Sequence, residues 1–252
     1  MSTTDVVVIK NLTKTFDGRE VIKRFDMTVK AGEIYGFLGA NGAGKTTVLK
    51  LINGLSSKTF GDIKVLDQDI STHRETLLKN IGSVIEVPVF YEHLSAYANL
   101  AIHLAYLGIS SDRQIKELVE AALERVGLPD TGKQAVSKFS LGMRQRLGIA
   151  RAIVHKPKLL LLDEPINGLD PLGIREVREL LISLSQNDGV TIIISSHILN
   201  EIEHIADKIG VIVDGRIVEE VTLSEIREKF PEGLEDYFFD MMTGKNNKEI
   251  QK

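Results

Sequence analysis

Gly39-Ala40-Asn41-Gly42-Ala43-Gly44-Lys45-Thr46 matches the pattern G-x-x-x-x-G-K-[ST], a glycine loop whose backbone cradles phosphate groups. Its flanks supply the context that the motif requires. Before it, Ile34-Tyr35-Gly36-Phe37-Leu38 is an apolar run that reads as a buried strand. After it, Val48, Leu49, Leu51 and Ile52 recur at helical spacing. Gly42 and Gly44 carry no side chain, so the backbone can close around a phosphate with its N–H groups turned inward. A helix opening at Lys45 adds unpaired N–H groups and the positive end of its dipole. Lys45 is expected to reach the β- and γ-phosphates, and the Thr46 hydroxyl to ligate Mg²⁺.

A chain of 252 residues with 43% hydrophobic and 26% charged residues can bury a substantial core and has the composition of a soluble globular protein. The net charge of −4 argues against a mainly electrostatic nucleic-acid binder, so no nucleic-acid partner is expected. The absence of cysteine excludes disulfides, thiolate metal sites and cysteine nucleophiles. The start, Met1-Ser2-Thr3-Thr4-Asp5, has no signal-peptide pattern. No apolar run approaches the ~18 residues of a membrane span. The expectation is a soluble or peripheral protein.

Along the chain, β-branched residues 6–9 predict a strand, Asp17-Gly18 a turn, and residues 25–29 a further strand. Phe16, beside that turn, reads from its residue type alone as a half-buried strand residue. Strands are expected at 61–66 and 81–85 and a short helix at 74–80. Residues 96–154 are helical in pattern, with Ser111 and Asp112 suited to cap a helix that buries Ile115, Leu118, Val119, Ala122, Leu123 and Val126. This block interrupts an α/β chain and reads as an inserted helical subdomain.

Leu159-Leu160-Leu161-Leu162-Asp163-Glu164-Pro165 then reads as a parallel strand covered on both faces, with two acids at its carboxyl end. Ligands of open α/β sheets bind at that end. Asp163 can hold Mg²⁺, directly or through water, and Glu164 can polarise an attacking water. Asp170 and Pro171 suit the N-cap and first position of a helix over 171–185 burying Ile174, Val177, Leu180, Leu181 and Leu184. His197 follows a strand at 190–195, and a lone histidine there has an ordinary structural role as its simplest reading. Asp214-Gly215 marks a hairpin, followed by a short helix, an acidic-aromatic stretch at 234–239 and a polar tail over 244–252.

Together these pieces resemble the nucleotide-binding subunit of ATP-binding-cassette (ABC) transporters over residues 6–221. The discriminating stretch is Phe139-Ser140-Leu141-Gly142-Met143-Arg144-Gln145-Arg146, followed by Ile149-Ala150-Arg151-Ala152, similar to the family signature usually written LSGGQ. The resemblance implies an α/β phosphate-loop NTPase fold: a mostly parallel core sheet, an N-terminal antiparallel β part and an inserted helical subdomain at about 90–155. One ATPase domain over 1–243 is implied. Two copies would pair head to tail around two ATP molecules. Each ATP would be held by Gly39, Ala40, Asn41, Gly42, Ala43, Gly44, Lys45, Thr46 and Thr47 of one copy and by Ser140 and Gly142 of the other. Glu164 is implied as general base, His197 as the γ-phosphate contact, Asp170 as the link between sites, and Phe16 as the aromatic that stacks on adenine.

Two departures stand out. Leu141 and Met143 replace the usual glycine and glutamine of the signature. Glu86 stands where the family usually carries glutamine; it could still ligate Mg²⁺, but it adds negative charge beside the phosphates. Residues 81–86, Phe90-Tyr91 and 140–147 look like the ATPases of bacitracin-type and lantibiotic self-protection exporters. That branch implies a cytoplasmic subunit on the inner face of the membrane, bound to a separate permease and removing an antimicrobial peptide. The alternative is a soluble ABC-type ATPase acting on DNA or ribosomes. The first would need long heptad arms between loop and signature, the second a tandem cassette, and this chain shows neither.

Overall fold

The computed structural model describes residues 4–229 together with Leu234 and Tyr237. The polar tail and most of the acidic-aromatic stretch lie outside the described residues.

β1 (Asp5–Phe16) and β2 (Arg19–Lys30) form one long antiparallel hairpin. Asp17 and Gly18 turn it with φ of 47° and 79°, the left-handed conformation that tight hairpins demand. The short strands expected at 6–9 and 25–29 are therefore parts of two twelve-residue strands. Register shifts, with Asn11 and Arg24 at positive φ, break the inside–outside alternation on which a strand reading depends.

β3 (Ile34–Leu38) is buried throughout and feeds the glycine loop and α1 (Lys45–Ile52). β4 (Phe60–Val65) and β5 (Gln68–Asp69) extend the antiparallel sheet, in the order β2-β1-β4-β5. α2 (Ile70–Leu78) starts four residues before the expected position, because the Asp69 carboxylate accepts the Ser71 N–H and caps it there. β6 (Ile81–Val84) precedes the helical block. This block contains α3 (Ala96–Tyr106), α4 (Asp112–Arg125) and α5 (Leu141–Ile153), N-capped by Ser95, Ser111 and Ser140. β7 (Leu159–Asp163), α6 (Pro171–Gln186), β8 (Thr191–Ser196), α7 (Leu199–Glu203), β9 (Lys208–Val213), β10 (Arg216–Thr222) and α8 (Leu223–Lys229) complete the described chain.

The second sheet runs β10-β9-β3-β8-β7-β6 and is parallel except for β10. It separates two hydrophobic cores. Leu160, Leu162, Ile192 and Ile194 face the core shared with the helical block and α6. Leu159, Leu161 and Ile193 face the core shared with α1 and the antiparallel sheet. The leucine run is thus covered on both faces, each buried leucine contributing about 1.5–3 kcal/mol. Ile115, Leu118, Ile174 and Leu180 are only partly covered, whereas Val119, Ala122, Leu123, Val177, Leu181 and Leu184 are buried. The first group marks the rim of each apolar stripe.

β6 and α5 touch through Gly82. A Cβ there would stand 1.9 Å from the Ala152 carbonyl oxygen, a backbone atom that no rotamer change can move. Gly82→Ala is expected to lower stability by about 3 kcal/mol, read as a shift of the urea midpoint at unchanged slope.

His103, on α3, gives the fold an acid limb. Burial, aided by neighbouring His155 and Arg151, pushes its imidazole down from 6.5 to about 4. The folded ring is neutral while the unfolded one gains a proton below 6.5. The stabilising contribution is therefore whole above that value and is lost as pH falls from 6.5 towards 4. His103→Gln should flatten the fall of the urea midpoint across this window.

Candidate active site

The glycine loop spans the carboxyl end of β3, the strand held between β8 and β9. Gly39 is required for space: a Cβ would lie 2.4 Å from the Ile212 carbonyl oxygen. Gly42 and Gly44 adopt φ of 82° and 114°, where a side chain would be strained. Asn41 and Gly42 are exposed at the loop tip, Ala40 is exposed and Ala43 buried, and Ala43 N–H donates to Ala40 O at 3.1 Å. Lys45 is 6% exposed and its Nζ donates to Gly39 O at 2.6 Å and Ala40 O at 3.2 Å. Burial pushes this ammonium below its usual value, and the Glu164 and Asp163 carboxylates oppose that shift. A desolvated cation inside a glycine loop at a helix start fits a polyphosphate. Thr46 and Thr47 are half-buried in the first turn of α1.

Sheet register brings the acids to this loop. Asp163 ends β7 opposite Ser195 of β8. Its Oδ1 accepts Ser195 Oγ–H at 2.5 Å and its Oδ2 accepts Thr46 Oγ1–H at 2.7 Å. A carboxylate and a hydroxyl oxygen in contact are hard ligands of the kind Mg²⁺ takes. Glu164 follows with φ of 51°, uncommon for a residue other than glycine and concentrated at functional sites. Its N–H is held by the Ser195 carbonyl at 3.1 Å, and its Oε2 lies 2.7 Å from His197 Nδ1 and 3.3 Å from Asn167 Nδ2. His197 is thus joined to Glu164 rather than packed as a structural residue.

The remaining residues ring this centre. Phe16 is 46% exposed at the end of β1, with Lys14 Nζ 4.5 Å from its ring centroid. It is the last residue of β1 and about half of its surface is covered, as its residue type led one to expect. Ser140 accepts Met143 N–H within its own helix at 3.2 Å, and Gly142 lies against Leu169. Asp170 caps α6 through Gly173 N–H at 2.9 Å. Glu86 is exposed at φ of 61° and pairs with Lys50 Nζ at 2.5 Å, one turn along α1 from Thr46; its carboxylate points to a lysine rather than to Asp163. Two contacts emerge only from the fold, one from Ser195, which carries no motif, and one from Gln145 of the signature stretch. Ser195 anchors both Asp163 and Glu164, and Gln145 donates to Pro165 O at 2.8 Å, tying α5 to the segment after Glu164. The strand-end pair Ser195-Ser196 before His197 is the sequence signal for the first.

Known proteins resemble this chain in sequence and fold. The ABC transporter family model matches residues 22–167. Bacitracin transport ATP-binding protein BcrA of Bacillus licheniformis is 44% identical over 230 residues, covering 91% of this chain and 74% of that protein. Lantibiotic transport ATP-binding protein SrtF of Streptococcus pyogenes is 45% identical over 210 residues, covering 83% and 88%. An uncharacterized ABC transporter ATP-binding protein, YcbN of Bacillus subtilis, is 50% identical over 232 residues, covering 92% and 74%. A solved ATP-binding subunit of an ABC transporter superposes with a TM-score of 0.85 at 28% identity, covering 94% of this chain and 99% of that one. The cassette MJ0796, solved as a dimer bound to ADP and Pi, gives 0.78 at 25% identity, covering 86% and 98%. With this family match spanning the phosphate loop, the signature and the paired acids, the chain belongs to the ABC transporter family as an ATP-binding, ATP-hydrolysing subunit.

Proposed function

We propose that this subunit powers a separate permease that clears an antimicrobial peptide of the bacitracin or lantibiotic class from the membrane of a Gram-positive bacterium. The carrying observation is the convergence of Lys45, Thr46, Asp163, Glu164 and His197 at the carboxyl ends of β3, β7 and β8. The peptide assignment rests on relatives named for bacitracin and lantibiotic transport and on the Glu86 and Leu141 departures that the chain carries.

In this reading ATP lies along residues 39–47 with its adenine on Phe16, and Lys45 exchanges its backbone acceptors for the β- and γ-phosphates. Thr46 and Asp163 would hold Mg²⁺, which would supply charge neutralisation at the phosphate oxygens; Glu86, the third candidate ligand, pairs with Lys50. Glu164 accepts the proton of the attacking water, and His197, already bonded to it, orients it and meets the γ-phosphate. A second copy closes the site with Ser140 and Gly142, and Asp170 links the two centres. The helical block of about residues 90–155 acts as a subdomain within a single ATPase domain over 1–243.

Among the described residues no helix is long and apolar enough to cross a membrane. The permease contact is assigned to an exposed surface patch. Val89 and Tyr106, each 79% exposed, line a groove of about 380 Å³ with Tyr91, and Val87, two residues before Val89, is 81% exposed. This apolar patch suits a permease segment. Phe90, beside Tyr91, is buried beneath Arg151, whose guanidinium carbon stands 5.0 Å from its ring centroid. The test is an ATP-dependent pull-down of tagged Glu164→Gln from solubilised membranes of the source cells. Enrichment of a polytopic membrane protein supports transport. Ribosomal or DNA-repair partners without one would overturn it.

A further inference from the structure

Behind the loop that follows β6 lies a cavity of about 270 Å³, lined by Asn53, Ser83, His103, Leu107, Arg151 and His155 among others. The ATPase mechanism uses none of them. Three buried polar atoms here have no hydrogen-bond partner among the described residues: Asn53 Oδ1, His103 Nε2 and His155 Nδ1. Asn53 is only 5% exposed, and its amide Nδ2 is engaged with Ser83 Oγ at 3.2 Å, which leaves its oxygen free. His155 Nε2 lies 3.2 Å from the Ile81 carbonyl oxygen, an atom that can only accept. Nε2 therefore carries the proton, and Nδ1 presents a lone pair. Buried polar atoms without partners are uncommon in native folds, and each needs a water or an ion to complete it.

We propose that His103 and His155, with Asn53 Oδ1, bind one divalent first-row transition cation of the zinc class. Two imidazoles on one tetrahedral ion, with metal–nitrogen bonds of about 2.0 Å, have ring centroids about 5 Å apart. These rings stand 5.6 Å apart at 62°, close to the separation that one shared ion spans. Burial lowers the affinity of both rings for protons and keeps them in the neutral form that ligates metal. The electrostatics also favour a cation. α1, α3 and α5 all end at this cavity, with Asn53 and Leu107 as C-caps and His155 one residue past the third C-cap, and helix C-termini carry partial negative charge. Arg151, which also lines the cavity, opposes this; its guanidinium is engaged by the Val89 carbonyl at 2.8 Å and the Phe90 ring. Two imidazoles and one amide oxygen leave room for water in the remaining position, as in an adjustable rather than a purely structural site. A bound ion would join the end of the phosphate-loop helix to α3 and the segment after α5, and so restrain the helical block.

The test is titration of the metal-free full-length chain with Co²⁺, whose visible absorption reports coordination, followed by competition with Zn²⁺. Wild type is expected to bind one Co²⁺ with a tetrahedral spectrum that Zn²⁺ displaces. His103→Leu and His155→Gln should each weaken binding at least about tenfold. His103→Cys keeps a ligand at the same place and should show a thiolate-to-cobalt charge-transfer band, independently of whether the leucine variant folds. Absence of binding, or equal affinity and spectrum in wild type and all three variants, overturns the site.

Discussion

Glu164→Gln is expected to bind ATP about as well as wild type but to turn it over about 10²- to 10⁴-fold more slowly, the usual contribution of a positioned general base. The carboxamide keeps the size of the carboxylate and can still meet His197 and Asn167, which lie 2.7 and 3.3 Å from Oε2. It cannot accept a proton from water. Because the backbone N–H of residue 164 is held by Ser195, the left-handed conformation should survive the change. Steady-state phosphate release and ATP binding, measured on the same preparation, separate the two effects. Wild-type turnover would remove Glu164 from the role of base. Slow turnover with ATP-dependent dimer accumulation on a sizing column is the expected pattern.

The second large effect is expected at Lys45→Ala. The ammonium is buried, and in the nucleotide-free chain its acceptors are the loop's own Gly39 and Ala40 carbonyls. The Ala40 carbonyl keeps the Ala43 N–H as a donor, and the loss of one lysine contact at Gly39 O should leave the fold in place. What disappears is the cation facing the β- and γ-phosphates. Hydrogen bonds to charged groups are each worth about 1.5–3 kcal/mol, so ATP affinity should fall about ten- to hundredfold or more, with turnover lost. The check is thermal unfolding with and without ATP. The variant should match wild type without nucleotide and lose the ATP-induced rise in Tm. An undiminished rise would place the phosphate contact elsewhere.

These two residues are legible in the amino-acid sequence because their chemistry is local. A glycine loop between a buried strand and a helix is a contiguous pattern, and so are Ser140 as an N-cap, Asp170 before Pro171, and two acids after four leucines. Each follows from the chain's own backbone needs over a few residues. Element ends are less legible where bulges interrupt a period, as in the long β1–β2 hairpin. They are also less legible where a segment is too short to show one, as in the five-residue α7.

Other features depend on which strands become neighbours. Ser195 holds Asp163 only because β7 and β8 pair in parallel with those two residues opposite each other. Glu86 turns to Lys50, Phe90 goes under Arg151, and Asn53, His103 and His155 meet around one cavity, although sequence separations of 36, 61, 50 and 52 residues keep every pair out of any local pattern. Motifs announce groups that act where the chain already puts them. Groups gathered from separate elements are set by sheet register and helix packing, whose energetics are spread over the two buried cores rather than written at the positions that meet.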